Sequence, residues 1–478
     1  MSTGPRICVL GSEVSALSAS YFLRRALPNA RITLVAAQQP SQVTTSRGRF
    51  HFEEGLQSSI LNSRSGREVL GLVRLLSLDS QVVSADLVAS GRRHIWLNGR
   101  VQHFPRVWHC FRYGLWFLFE PLWLRRRGNA CESAASLARR RFSNSVRRDI
   151  AEPLTWGLYG LNSASCSAKW AFPRIWHNES QFGSIFLGAA REILRMAKQK
   201  SWLCLKAFDP LNTSICTGGR MYSFRHGLET LPNALLKKIQ GTRVESSRIP
   251  VEVIRDADVA SISSGETPVV TLTDGREISA DFVVSALPSY ELSEKVKSFS
   301  PELASTLEHI KHQNVAVVNF GFVNLPLKLR AATYLCPPTE PIFSVCVASK
   351  GFPQHNATTS ESRITVYLPQ RDGTDSIETA KDSLQRHLGI TAEPDEVSMK
   401  VWSMALYEKN HDEVLQSIHQ RSPSWLSIIG PSFRGLGVAD SVVDARAETD
   451  RIAAILKRKM AQNQQKARIS TPSIENTA

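Results

Sequence analysis

The opening thirty-five residues constrain the fold more than any other feature. Ile7-Cys8-Val9-Leu10 is an unbroken apolar run that stops at Gly11. Four apolar residues in succession, bounded by a turn residue, describe a short buried strand. Val14 to Leu27 then carries Leu17, Tyr21 and Leu27 among its apolar positions, and Pro28-Asn29 ends it, as expected of a helix. Arg31 to Val35 reads as a second strand. A strand, a helix and a strand within about thirty residues form a βαβ unit, the usual opening of a dinucleotide-binding domain.

A second half of that domain is expected from distant pieces. Met221 to Ile239 gives a turn and an amphipathic helix, Pro268 to Gly275 a strand entering a turn, and Phe282 to Leu287 a strand ending at Pro288. Trp425 to Ile429 is a strand running into Gly430, and Val442 to Lys459 a helix. The fold class is therefore α/β with α+β inserts: a Rossmann-like domain assembled from discontinuous segments. The expected division is 1–93, 209–296 and 421–460 for the dinucleotide domain, 94–208 for a helical membrane-binding and substrate domain, 297–420 for a substrate-binding domain, and 461–478 for a flexible tail.

With 478 residues the chain can bury two or three cores. Its eight cysteines are dispersed, with no CxxC and no Cys/His spacing of a zinc site, so reduced thiols and no metal are expected. No secretory signal pattern and no long apolar span is apparent. The Asn356-Ala357-Thr358 sequon is accordingly read as chance. His177, His226 and His411 are read as structural or surface histidines.

The net charge of +15 is concentrated: thirteen Arg face three acids between Gly91 and Ile150. Within that block, Phe111 to Leu124 is rich in Trp and Phe, is interrupted by Glu120 and Pro121, and runs into Arg125-Arg126-Arg127. An aromatic apolar segment with a basic rim suits an interfacial position on anionic lipid, with residues 108–127 as the contact. Nucleic acid is not an expected partner, because the arginines are interleaved with apolar residues and no recognition module is present.

The turn after the first strand is where a dinucleotide needs GxGxxG: one glycine turns, the second admits the pyrophosphate, the third packs helix on strand. The chain has Gly11-Ser12-Glu13-Val14-Ser15-Ala16, with a carboxylate in the second place. The acid wanted at the end of the second strand for an adenosine ribose is replaced by Ala36-Ala37. Near the C-terminus, Gly430 to Arg446 offers a strand, a glycine-containing turn and a helix start, a second dipole-assisted site.

That last stretch resembles the final flavin-contacting motif of the eukaryotic-type protoporphyrinogen oxidases: Gly430, Ser432, Phe433, Gly435, Val438, Asp440, Ser441, Val442, Asp444, Ala445 and Arg446 match. Further strings are similar in the same order. They include Trp96-Leu97-Asn98-Gly99, Arg139-Arg140-Arg141-Phe142, Gly157 to Ser163, Gly227-Leu228-Glu229, Val284 to Pro288 and Val315 to Asn319. The resemblance implies an FAD-dependent oxidase that passes electrons from protoporphyrinogen IX to oxygen in haem biosynthesis, peripheral to the mitochondrial inner membrane and often a homodimer. A flavin takes hydride from a carbon centre without a protein nucleophile, so no catalytic residue is assigned. Cofactor contacts are implied at Gly11, Ser12, Glu13, Val14, Ser15 and Ala16; at Gly55, Leu56, Gln57 and Ser58; at Val251; and at Pro431, Leu436, Gly437 and Val438. The family's Arg-x-Gly-Gly becomes Pro40-Ser41-Gln42-Val43, and its Gly-Pro-Arg-Gly becomes Gly55-Leu56-Gln57-Ser58. A neutral Gln57 cannot make the charge-assisted pair of Arg with a substrate carboxylate. These replacements point to weakened or lost flavin binding. The alternative reading is a catalytically inactive relative serving as a membrane-associated porphyrin-binding or scaffold protein.

Overall fold

The computed structural model describes residues 4–36, 44–55, 59–60, 64–91, 93–97, 99–104, 131–191, 194, 221–241, 249–265, 267–327, 329 and 331–470. The segment 108–127, the replaced string 40–43 and Leu56, Gln57 and Ser58 lie outside these residues.

Five parallel strands build the central sheet. In spatial order they are Glu252–Ile254, Arg31–Val35, Arg6–Leu10, Phe282–Ser285 and Leu426–Ile428. Numbered along the chain, that order is 3-2-1-4-5, the doubly wound arrangement with its switch point between the first and fourth strands. From Ile7 to Leu10 the first strand is apolar because both its faces are covered. Ile7 and Val9 enter one core with Leu17, Leu23 and Val442, while Cys8 and Leu10 enter another with Val283, Leu426 and Phe433. The helix Val14–Ala26 and the C-terminal helix Val438–Ser470 pack together on the first of these faces.

The Pro268 to Gly275 string does not enter the parallel sheet. Val269–Leu272 is the middle of a separate antiparallel meander with Val259–Ser263 and Glu277–Ser279. The Met221 string also splits: Met221–Phe224 joins a small three-stranded sheet, and Thr230–Gln240 is the helix. The segment expected to be a tail from 461 is helical through Ser470. Its Ala, Gln, Lys and Arg residues are good helix formers, so polarity there does not mean coil.

A seven-stranded sheet forms the second layer, in the order Glu396–Ala405, His312–Phe322, Ser362–Pro369, Ser344–Val347, Thr333–Leu335, Arg93–Leu97 and Arg100–Phe104. The hairpin of Trp96 and Gly99 thus belongs to this sheet and not with the helices that follow it. Those helices carry much of the basic block, and part of its charge is used internally. Arg140, Arg141, Arg147 and Arg148 are each paired with an acid.

The sequon is also occupied. The Asn356 amide donates to the Glu361 carbonyl at 3.0 Å and its oxygen accepts from Arg363 at 2.9 Å. Among the described residues Cys8, Cys131, Cys166, Cys336 and Cys346 are free thiols. No helix among the described residues is long and apolar enough to cross a membrane.

Candidate functional site

The two glycine turns separated by more than four hundred residues meet at the switch point. Gly11 has φ +118°, a conformation that favours glycine, and its N–H donates to Val35 O at 2.9 Å. A Cβ there would stand 3.4 Å from Ala286. Gly430 has φ +113°, and a Cβ on it would stand 3.5 Å from Ala286 O and 3.8 Å from Ser15 Oγ. Both turns therefore close on the end of the fourth strand.

Ser15 and Ala16 are buried at the start of the first helix. The Ser15 hydroxyl has no hydrogen-bond partner among the described residues. A buried hydroxyl at a helix N-terminus, beside a turn whose positive φ favours glycine, fits an anionic group held by the helix end. Glu13 is the N-cap residue with extended backbone, and its side chain makes no capping hydrogen bond. A carboxylate at this helix start conflicts with a diphosphate. Ser12 and Val14 flank it, both partly exposed. At the end of the second strand the Ala36 N–H donates to Ile254 O at 2.8 Å, so the chain continues in sheet pairing with no acid to offer a ribose.

The C-terminal turn is held from every side. Gly430 N–H donates to Asp444 Oδ2 at 3.2 Å, and Arg434 donates to Asp444 Oδ1 at 2.9 Å. Ser432 Oγ accepts from Ser289 N–H at 3.2 Å and bonds His312 Nε2 at 3.1 Å. His411 Nε2 bonds Phe433 O at 2.9 Å. Burial lowers the His411 pKa, so the ring is the neutral donor. Tyr407 OH donates to Pro431 O at 2.5 Å and accepts Gly435 N–H at 2.7 Å. Burial pushes the phenol well above its usual range, which keeps the proton it donates. The Tyr407 and His411 rings stack at 4.1 Å, and Trp170 meets both edge-on at 5.0 and 5.5 Å. Asp440, pushed up by burial, reaches back to Gly437 N–H as in a capping box and also bonds Ser65.

Of the other expected contacts, Val251 is buried in the core and its N–H donates to Ile239 O at 3.0 Å. Pro431 presents its carbonyl to Tyr407, Leu436 packs against the second core, and Val438 against the first. Gly55 O accepts Tyr367 OH at 2.8 Å.

Sequence reading missed Tyr407, His411 and Asp444 as supports of the turn. His411 stands nineteen residues before Gly430, where the motif it serves begins, so nothing local marks it. Removing the phenol is a clean test. Tyr407→Phe leaves a buried carbonyl and a buried N–H unpaired, at about 1–3 kcal/mol in total after relaxation. The expected result is a lower unfolding midpoint in urea together with weaker FAD binding.

Glu53 lies just before Gly55. It accepts Leu228 N–H at 2.9 Å and Thr44 Oγ1 at 2.9 Å, tying the strand Phe50–Glu53 to the start of the helix Thr230–Gln240. Burial raises its pKa to about 7 despite those bonds and the Arg363 charge. A carboxyl with a raised folded pKa stabilises fully below its unfolded value, and that stability is lost as pH rises to 7. Unfolding midpoints are expected to fall from pH 5 to pH 8, and Glu53→Gln should flatten that slope.

A cleft of about 720 Å³ opens elsewhere, lined by Asp86, Lys350, Asn356, Thr358 and Glu361 among others, and shares no residue with the meeting of the two turns. The turns, and not that cleft, carry the chemistry of a dinucleotide site.

Sheet order, paired glycine turns and two helix starts at one switch point define a flavin-type dinucleotide fold. Residues 43–410 match the model of the flavin containing amine oxidoreductase family, and the chain belongs to that family. Within it, the sequence is 27% identical to the protoporphyrinogen oxidase of Homo sapiens, over 93% of this chain and 97% of the relative. It is 20% identical to the coproporphyrinogen III oxidase of Bacillus subtilis, over 94% and 98%. In fold it is similar to the crystal structure of reduced UDP-galactopyranose mutase, with a TM-score of 0.64, 12% identity and coverage of 94% of each chain. A mutase and an oxidase on one fold show that the fold does not choose the substrate. The family is flavin-dependent, and Gly11, Ser15 and the 430–438 turn fit its cofactor. The inactive-scaffold alternative finds no support in these likenesses.

Proposed function

We propose that the chain is an FAD-dependent porphyrinogen oxidase, converting protoporphyrinogen IX to protoporphyrin IX with oxygen as acceptor. The observation that carries this reading is end-to-end likeness to a protoporphyrinogen oxidase combined with a switch point where both glycine turns survive. FAD, when bound, supplies the hydride acceptor. The chain's own part is to bind and orient. The first helix start and Ser15 would hold the diphosphate, and the pinned 430–437 turn would give it a rigid wall. We further propose peripheral association with the mitochondrial inner membrane through residues 108–127 and assembly as a dimer.

Purified protein tests the core of this. A flavin absorption spectrum, with oxygen-dependent appearance of fluorescent protoporphyrin, is the expected result. Bound flavin without porphyrin formation would point to another substrate, and colourless protein that takes up no added FAD would refute the reading.

A further inference from the structure

His411 and His312 both brace the cofactor turn, but they carry their hydrogens differently. His411 Nε2 bonds Phe433 O, and a carbonyl only accepts, so that bond survives when the ring is charged. His312 works the other way. Its Nδ1 lies 3.0 Å from Ile310 O, so Nδ1 carries the hydrogen. Burial lowers the His312 pKa against the pull of that bond, and the ring is neutral. Nε2 is then a bare lone pair that accepts the Ser432 hydroxyl at 3.1 Å. Ser432 Oγ in turn accepts the Ser289 N–H at 3.2 Å. A directed chain thus runs from the start of the helix Ser289–Val296, just after the fourth strand, through the turn, to the strand His312–Phe322 of the second sheet.

Charging His312 reverses the last link. Both ring nitrogens then donate, the Ser432 hydrogen loses its acceptor, and a half-buried positive charge stands against the turn. The titratable groups around the ring are Tyr290, edge-on at 4.9 Å, and Glu291, which bonds Tyr290. Ser403 on the neighbouring strand also bonds Tyr290, and next to His312 in the chain Lys311 is paired with Glu408. Burial and the Ile310 bond, not these charges, set the His312 pKa. A charged ring therefore gains no counter-ion there.

We infer that His312 is a positioning residue for the cofactor: as a neutral acceptor it fixes Ser432 and with it the 430–437 turn, and its protonation loosens the grip on FAD. This rests on the flavin reading above. The test titrates the full chain with FAD, read by flavin fluorescence, from about pH 8 to about pH 5. Wild-type affinity should be full above the ordinary imidazole range and weaken about tenfold as the pH falls through the lowered His312 value. His312→Gln keeps an acceptor that cannot be charged, and should bind within about threefold of wild type at the upper pH with no weakening in acid. His312→Phe offers no acceptor and should bind about tenfold more weakly throughout. Glu53 titrates in all three proteins, so the comparison isolates position 312. Independently of FAD, NMR of isotope-labelled histidine should show that the ring lost in His312→Gln carries its proton on Nδ1. Acid weakening retained by His312→Gln would overturn the assignment. So would affinity that rises in acid, as attraction of a charged ring to the diphosphate would give, or a proton on Nε2 at neutral pH. If His312→Gln does not fold, Ser432→Ala serves instead: it should bind weakly without acid dependence, and dependence retained there overturns the assignment equally. Wild type that takes up no FAD at any pH would refute the flavin reading itself.

Discussion

Glu13→Gly is expected to tighten FAD binding about ten- to a hundredfold, or about 1.4–2.7 kcal/mol. Two unit charges about 4 Å apart repel by roughly 4 kcal/mol at an effective dielectric of 20. Glu13 is partly exposed, so solvent screening reduces that figure. Glycine is acceptable at an N-cap, and Glu13 makes no capping hydrogen bond to lose, so the fold should survive. Glu13→Gln separates charge from bulk: if charge dominates, the two variants bind alike. Raising the salt should narrow the gap between wild type and either variant. Fluorescence titration of the apoprotein gives the constants, and identical affinities for all three proteins would mean that the carboxylate does not face the diphosphate.

The second large effect concerns stability. Arg141 is fully buried and donates to Glu179 Oε1 at 3.0 and 2.8 Å and to Gly183 O at 3.0 Å. Arg140 reaches the same carboxylate at 2.6 and 3.0 Å and also grips Glu132. Glu179 therefore ties the helix Ala134–Arg141 to the helix Pro173–Phe182. Removing one member of a buried charged group costs about 3–5 kcal/mol, and Arg141→Met should lower the urea midpoint accordingly. Burial acts to raise the Glu179 pKa, but the two guanidinium groups outweigh it and hold the carboxyl below its usual range. A depressed acid stabilises above its unfolded pKa, and that stability is lost as pH falls through the folded one. The acid limb of unfolding in Arg141→Met should therefore move to higher pH. An unshifted limb would mean that Arg140 alone sets the Glu179 charge.

Local patterns exposed much of the fold. Ile7 to Leu10 and Phe282 to Val284 are runs of apolar residues that suit a strand covered on both faces, and both lie in central strands. Gly11 and Gly430 stood out because a chain turning sharply at a strand end needs glycine. The Arg139 to Phe142 string was visible, but its use was not. An arginine paired with Glu179 thirty-eight residues away has the same local signature as one facing lipid. The partners of Tyr407 and His411 were illegible for the same reason, since each braces backbone that a distant segment brings close.

The sequence by itself determined the βαβ opening, the α/β class and the family, because these follow from periodicity and from the order of short strings along one chain. Tertiary structure decided which residues brace the cofactor turn and which arginines are internal. Those outcomes depend on distances between segments far apart in the chain, and such distances exist only once the sheets have formed and stacked.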